Sequence, residues 1–155
     1  MHNLPEWCSP VVHAILAQWP VATLATYGKD RIDAVPVVFW CNAELQLHVP
    51  HDGKPKRDGR LQRFRNVDAD SRCTLLMQHY APDWQQLWWL RLNGRARTRR
   101  LPDEARAGLA AKYPQYAETT LHSEAMSIEI YGARFWSARA NLAPGAIAEM
   151  LTCTN

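Results

Sequence analysis

One run of the chain admits a single backbone geometry. From residue 88 to 99, Trp88, Leu90, Leu92, Gly94, Ala96 and Thr98 alternate with Trp89, Arg91, Asn93, Arg95, Arg97 and Arg99. Successive side chains of an extended strand point to opposite faces, so the pattern predicts a long β-strand with one apolar face and one cationic face. A helix would mix the two sets on every side. Such a strand has two edges to pair and an apolar face to cover, so the chain must build a sheet and pack something against it.

Other segments supply the partners. Val21 to Tyr27 and Ile32 to Cys41 are rich in β-branched and apolar residues, and Gly28-Lys29-Asp30-Arg31 between them predicts a hairpin turn. Leu45 to Val49 reads as a third strand after the Asn42-Ala43-Glu44 turn. Arg72 to Tyr80 alternates Cys73, Leu75 and Met77 against Thr74, Leu76 and Gln78, and Met126 to Ser137 closes the set. That makes about six strands. Helical spacing is confined to four places: Pro10 to Trp19, introduced by Ser9 as N-cap and stopped by Pro20; a basic amphipathic stretch over roughly 57–66; a segment opened by Pro102-Asp103-Glu104 and stopped at Tyr113-Pro114; and a short one over 147–151. Strands joined by tight turns, without regular alternation of strand and helix, predict a mainly β fold: an antiparallel barrel with helices outside.

The chain has 155 residues, 47% hydrophobic and 21% charged, which is enough apolar material for one globular domain over 1–155, with a core over 9–138 and a tail over 139–155. No apolar run approaches the roughly 18 to 20 residues of a membrane-spanning helix, and no secretory leader is evident at the start, so a cytoplasmic protein with no membrane partner is expected. Cys8, Cys41, Cys73 and Cys153 are widely spaced, so no structural zinc site is spelled out, and Cys41 and Cys73, in apolar strand-like runs, read as small buried hydrophobes rather than reactive thiols.

Charge is more telling. The net value is only +3, yet six basic residues against one acid lie between Lys54 and Arg65, and five arginines with no acid lie between Arg91 and Arg100, leaving the rest of the chain net acidic. Localised cations point to a bound anion at a defined place. Lys54-Pro55-Lys56-Arg57 follows a predicted strand and opens a predicted helix, where backbone N–H groups, the helix dipole and cationic side chains converge on a phosphate. The chain offers no Gly-x-Ser-x-Gly elbow, no His-Glu-x-x-His and no Gly-rich nucleotide loop. His48 and His51 read as structural histidines. A phosphate site without a recognisable acid, base or nucleophile implies that a bound cofactor supplies the reactivity, with no catalytic side chain. Adjacent Trp88 and Trp89 must face opposite ways, one into the core and the other toward a ligand or a second subunit.

Taken in order, Val21-Ala22-Thr23-Leu24-Ala25-Thr26, Val35-Pro36-Val37-Val38-Phe39, Lys54-Pro55-Lys56 with Leu61, Arg63, Arg65 and Asn66, and Leu87-Trp88-Trp89-Leu90-Arg91-Leu92-Asn93-Gly94-Arg95-Ala96 resemble the pyridoxamine 5′-phosphate oxidase-like, FMN-binding split-barrel family. The Lys54-Pro55-Lys56 and Leu87-Trp88-Trp89-x-Arg91-x-x-Gly94-x-Ala96 elements resemble most its small-protein branch assigned to the deazaflavin F-420. The resemblance implies a six-stranded split barrel forming a homodimer, with FMN, or alternatively F-420, at the subunit interface. By position, Lys54, Lys56 and Arg57 would hold the phosphate; Val35, Pro36, Val37 and Val38 with His48 and Val49 would line the ring; and Trp88, Trp89 and Arg91 would close the pocket from the facing subunit. Hydride would then pass to or from a small organic substrate. Tyr131-Gly132-Ala133-Arg134-Phe135-Trp136 stands where true pyridoxamine phosphate oxidases carry an Arg-x-His-x-Arg motif, which argues against vitamin B6 as substrate. A flavin- or haem-binding protein without turnover is the other reading of the same fold. A nucleic-acid surface at Arg95, Arg97 and Arg99 is disfavoured because no tryptophans interleave that ladder as a stacking platform.

Overall fold

The computed structural model describes residues 9–52 and 60–153. The elements run α1 (Pro10–Gln18), β1 (Ala22–Tyr27), β2 (Ile32–Val37), β3 (Trp40–Cys41), β4 (Gln46–Asp52), α2 (Gln62–Ala69), β5 (Arg72–His79), β6 (Trp88–Arg100), α3 (Asp103–Lys112), β7 (Leu121–Ser137) and α4 (Pro144–Thr152), with 3-10 turns at Trp84–Gln86 and Pro114–Ala117. All seven strands join one antiparallel sheet in the order β2-β1-β5-β6-β7-β4-β3.

The strand expected over 32–41 is two strands. Its first half pairs with β1 and its second with β4, at opposite edges of the sheet. Val37 and Trp40 are three residues apart, so their Cα atoms lie within about 11 Å. The sheet therefore rolls until its edges face each other, yet no ladder joins β2 to β3, and the result is a split barrel with an open seam. The chain leaves the ladder here because Phe39 takes its bonds elsewhere: its N–H donates to Tyr113 Oη at 3.1 Å, and its carbonyl accepts from Tyr113 Oη and Lys112 Nζ at 2.9 and 3.1 Å.

The alternation in β6 is realised as read. Trp88, Leu90, Leu92 and Ala96 are buried inside the barrel with Ala22, Leu24, Leu47, Val49, Cys73, Leu75, Met77, Met126 and Ile128. Phe64 and Val67 of α2 and the apolar faces of α1 and α4 join this core. Ser9 stands at the N-cap of α1 without a side-chain capping bond, leaving Pro10 at the first turn and the burial of Val11, Val12, Ile15 and Leu16 to define that helix.

A second, smaller cluster forms outside the sheet, where Leu101, Ala105, Leu109 and Tyr113 meet Leu121 and Ala125, with Val38 and Trp40 against them. It explains why β7 starts at Leu121, ahead of the expected Met126. Between Ala125 and Ile128 every residue is buried: Met126 and Ile128 in the barrel core, Ala125 in the α3 cluster, and Ser127 against His48. Helix α2 runs over 62–69 rather than 57–66. Its buried residues are Phe64, Asn66 and Val67, and Asn66 Nδ2 donates to Thr26 Oγ1 at 3.0 Å and Asp33 Oδ2 at 2.8 Å, tying the helix to the β1–β2 hairpin. No helix among the described residues is long and apolar enough to cross a membrane.

Candidate functional site

A cavity of about 160 Å³ opens at the seam, lined by Val21, Pro36, Val37, Val38, Pro50 and Arg63. Each wall has a local cause. Val21 follows Pro20, which stops α1 before β1 begins. Pro36, Val37 and Val38 end β2 and start the two-residue crossing to β3. Pro50 has no N–H to give the β4–β7 ladder, and the register shifts between it and Asp52. Arg63 stands in the first turn of α2, its guanidinium 5.6 Å from the centre of the Phe64 ring.

The electrostatics of this corner favour an anion. Leu61, at the N-cap of α2, has no side-chain oxygen for the first amides, and the first turn carries no acid. Arg63, which lines the cavity, thus stands in the turn where the helix dipole is positive. Arg60, just ahead of the helix, is held by Asp68 and by Glu124, the latter at 3.1 Å.

Of the residues singled out in the sequence, Pro36, Val37 and Val38 line the cavity and Val35 packs partly buried against the barrel core. Lys54, Lys56 and Arg57 lie outside the described residues; in the chain they fall between Pro50 and Arg63, two residues on the cavity wall. Val49 is wholly buried in the core. His48 is 2% exposed, with Nδ1 3.0 Å from Ser127 Oγ and its ring 6.0 Å from that of Trp40. Burial, with the Arg99 charge adding to it, lowers its pKa and keeps the imidazole neutral. Neither Val49 nor His48 borders the cavity.

Trp88 requires a correction. The family resemblance implies a pocket closed by Trp88 from a facing subunit, but the residue has no exposed surface: Nε1 donates to Met150 Sδ at 3.1 Å and the ring meets Trp19 edge-on at 4.6 Å. It belongs to the apolar face of β6 and cannot reach a partner. Trp89 and Arg91 are on the outer face, where Trp89 lies against Trp136 at 6.5 Å and Arg91 sits 5.6 Å from the Trp89 ring centre. Three strand spacings separate β6 from β2 in the sheet order, roughly 14 Å, so within one chain neither residue closes the cavity.

Sequence reasoning missed Val21, Pro50 and Arg63 as site residues. The two prolines that stop α1 and disturb β4 were usable signals, since each marks backbone that leaves regular pairing. The Arg63 position was not readable, because it depends on where α2 begins.

A second concavity, about 420 Å³, lies on the outer face between Tyr27, Ile32, Arg72, Thr74, Asn93 and Tyr131. Its cation is already engaged. Arg72 donates to Asp70 at 2.6 Å, holding that carboxyl down to about 2, and lies 4.6 Å from the Tyr27 ring centre. Thr74 Oγ1 donates to Asn93 Oδ1 at 3.0 Å. Burial pushes the thiols of Cys41 and Cys73 up to about 12, so neither is a nucleophile near neutral pH. Among the described residues no three metal-ligating side chains converge.

No family model matches the chain, and no curated protein matches it. Solved structures do. A Listeria innocua protein named, provisionally, as a pyridoxamine 5′-phosphate oxidase aligns with a TM-score of 0.59 at 20% identity, over 80% of this chain and 94% of its own. A heme-binding protein from Mycobacterium smegmatis aligns at 0.62 and 17% identity over 91% of this chain and 60% of its own. An FAD-binding protein from Mesorhizobium loti aligns at 0.57 and 15% identity, over 81% and 90%. The fold is the pyridoxamine 5′-phosphate oxidase-like split barrel. At these identities the likeness is one of fold, and the ligand of this split barrel has to be argued from its own residues.

Proposed function

We propose that this chain is a flavin-dependent oxidoreductase, binding FMN or the deazaflavin F-420 at the barrel seam and acting on a small organic substrate. The observation that carries the reading is the pairing, in one cavity, of a cationic corner and an apolar wall. Arg63 and the amino end of α2 suit a phosphate, while Val21, Pro36, Val37, Val38 and Pro50 suit a flat, weakly polar ring. The neighbours named for FAD and for pyridoxamine 5′-phosphate oxidase support the same ligand class on this fold.

The cavity is too small to enclose a whole flavin, since sites for ligands of that size usually exceed about 300 Å³. More chain must complete it. Lys54, Lys56 and Arg57 would add charge at the phosphate, and Trp89 and Arg91 of a second copy would cover the ring, making the working unit a homodimer with two sites. The uncovered outer face around Tyr27, Ile32, Tyr131 and Trp136, each 44% exposed or more, supports such a partner.

When bound, the flavin supplies hydride transfer. The side chains contribute the rest: Arg63 fixes the anionic end, the prolines and valines exclude water from the ring's flank, and no protein acid or base is needed at the reacting atoms. The haem-binding neighbour favours a second reading, a binding protein without turnover.

Mass spectrometry of the small molecule released on denaturing the purified protein, with its visible spectrum, separates these. FMN or F-420 bleached by a reduced substrate supports the enzyme. Haem, or a flavin that no substrate bleaches, supports the binder. A colourless chain that takes up none of the three overturns both.

A further inference from the structure

We infer that Lys112 and Tyr113, neither of which lines the cavity, are positioning residues that hold its wall from behind. The ligand in this inference rests on the flavin reading above; the fastening itself does not.

The seam has no backbone ladder between β2 and β3, so something else must fix the crossing. Tyr113 Oη accepts from the Phe39 N–H at 3.1 Å, and its single proton faces two carbonyls, Pro20 at 2.8 Å and Phe39 at 2.9 Å. Lys112 Nζ donates to Phe39 O at 3.1 Å and Leu16 O at 3.3 Å and sits 3.7 Å from the centre of the Phe39 ring. Two adjacent side chains thus tie together the exit of α1 and the crossing to β3. The residue after Pro20 is Val21 and the residue before Phe39 is Val38, and both face the cavity. Moving either anchor moves a wall.

A purely structural role would also bury these groups, so the test must separate stability from wall position. Tyr113→Phe keeps the ring and removes the bridging hydroxyl; Lys112→Met keeps the apolar stem and removes both donors. Ile147→Val, on the buried face of α4, serves as a destabilised control that leaves every hydrogen bond of Lys112 and Tyr113 in place. Amide hydrogen exchange and FMN affinity are measured for all three and for the wild type. Tyr113→Phe is expected to speed exchange about tenfold at Val38, Phe39 and Trp40, to leave β5 and β6 unchanged, and to weaken FMN binding about tenfold, the scale of one lost hydrogen bond. The control should do neither beyond its loss of stability. If Tyr113→Phe does not fold, Lys112→Met carries the same expectation at the same amides.

Unchanged exchange at the crossing overturns the fastening, and faster exchange with FMN affinity kept within about twofold overturns the positioning role. A wild-type chain that takes up no FMN sinks the flavin reading and the ligand named here with it, while the exchange data still decide whether the crossing is held by these residues.

Discussion

Lys112 carries a partly buried ammonium whose hydrogen-bond partners are the Leu16 and Phe39 carbonyls and which lies over the Phe39 and Tyr113 rings. Burial pushes it down from 10.5 to about 8, with the nearby Cys41 working weakly the other way. The unfolded chain therefore keeps this proton across a window, from about 8 to 10.5, in which the folded chain has released it. Stability from this group rises with pH through that window, by at most about 3 kcal/mol. The buried thiols and Tyr113 act oppositely. Their folded values, near 12, exceed the ordinary 9.0 and 10.0, so the stability they contribute is lost as pH rises above those values. The lysine is isolated by subtraction: the urea midpoint of wild type minus that of Lys112→Met should increase from pH 8 toward 10.5, and a flat or falling difference would refute the assignment. None of this was legible from sequence, because Lys112 is an ordinary helix-ending lysine until Phe39, far away in the chain, is folded against it. Trp88 teaches the reverse: its place on the apolar face of β6 was plain from alternation, and the resemblance to a family pulled it wrongly to a partner surface.

At the scale of elements, α3 docks through its glycine. A Cβ on Gly108 would lie 2.1 Å from Trp40 Cε2, within the indole that also faces His48. Helix propensity alone would have Gly108→Ala stabilise by about 1 kcal/mol. Overpacking against a rigid ring should instead make it destabilising by about 2 kcal/mol or more; a urea midpoint at or above that of the wild type would contradict this docking. For α2, reversing the charge in its first turn with Arg63→Glu should weaken FMN binding by about 1.5 to 3 kcal/mol, the range for a charge-assisted bond. Affinity equal to wild type in a titration would move the phosphate elsewhere. Both helices were visible in the sequence as amphipathic stretches. The start of α2 was not, since run-on basic residues hide the point where Leu61 caps it, and the break at Val38–Phe39 was not, since it is imposed by Tyr113 rather than by any local breaker.

The whole molecule is a curled sheet whose edges meet without bonding, and period-two patterning made most of that architecture readable. What patterning could not convey was closure: six expected strands became seven because one apolar run serves both edges of the sheet. The same geometry leaves an uncovered face bearing Trp89, Arg91, Arg134 and Trp136, with Arg91 directly opposite Arg134. Like charges so placed repel, and an acidic or ligand-bearing surface from a second copy would relieve them. Sedimentation equilibrium should therefore find two chains per particle with one flavin each, and a monomer that binds flavin with full affinity would overturn the shared site. The most direct test of the account is a crystal structure grown with excess FMN. The prediction is a phosphate within hydrogen-bonding distance of Arg63 or the first amides of α2, and a ring against Val21 and Pro36 to Val38. A flavin bound at another place, or crystals in which that corner stays vacant, would contradict it.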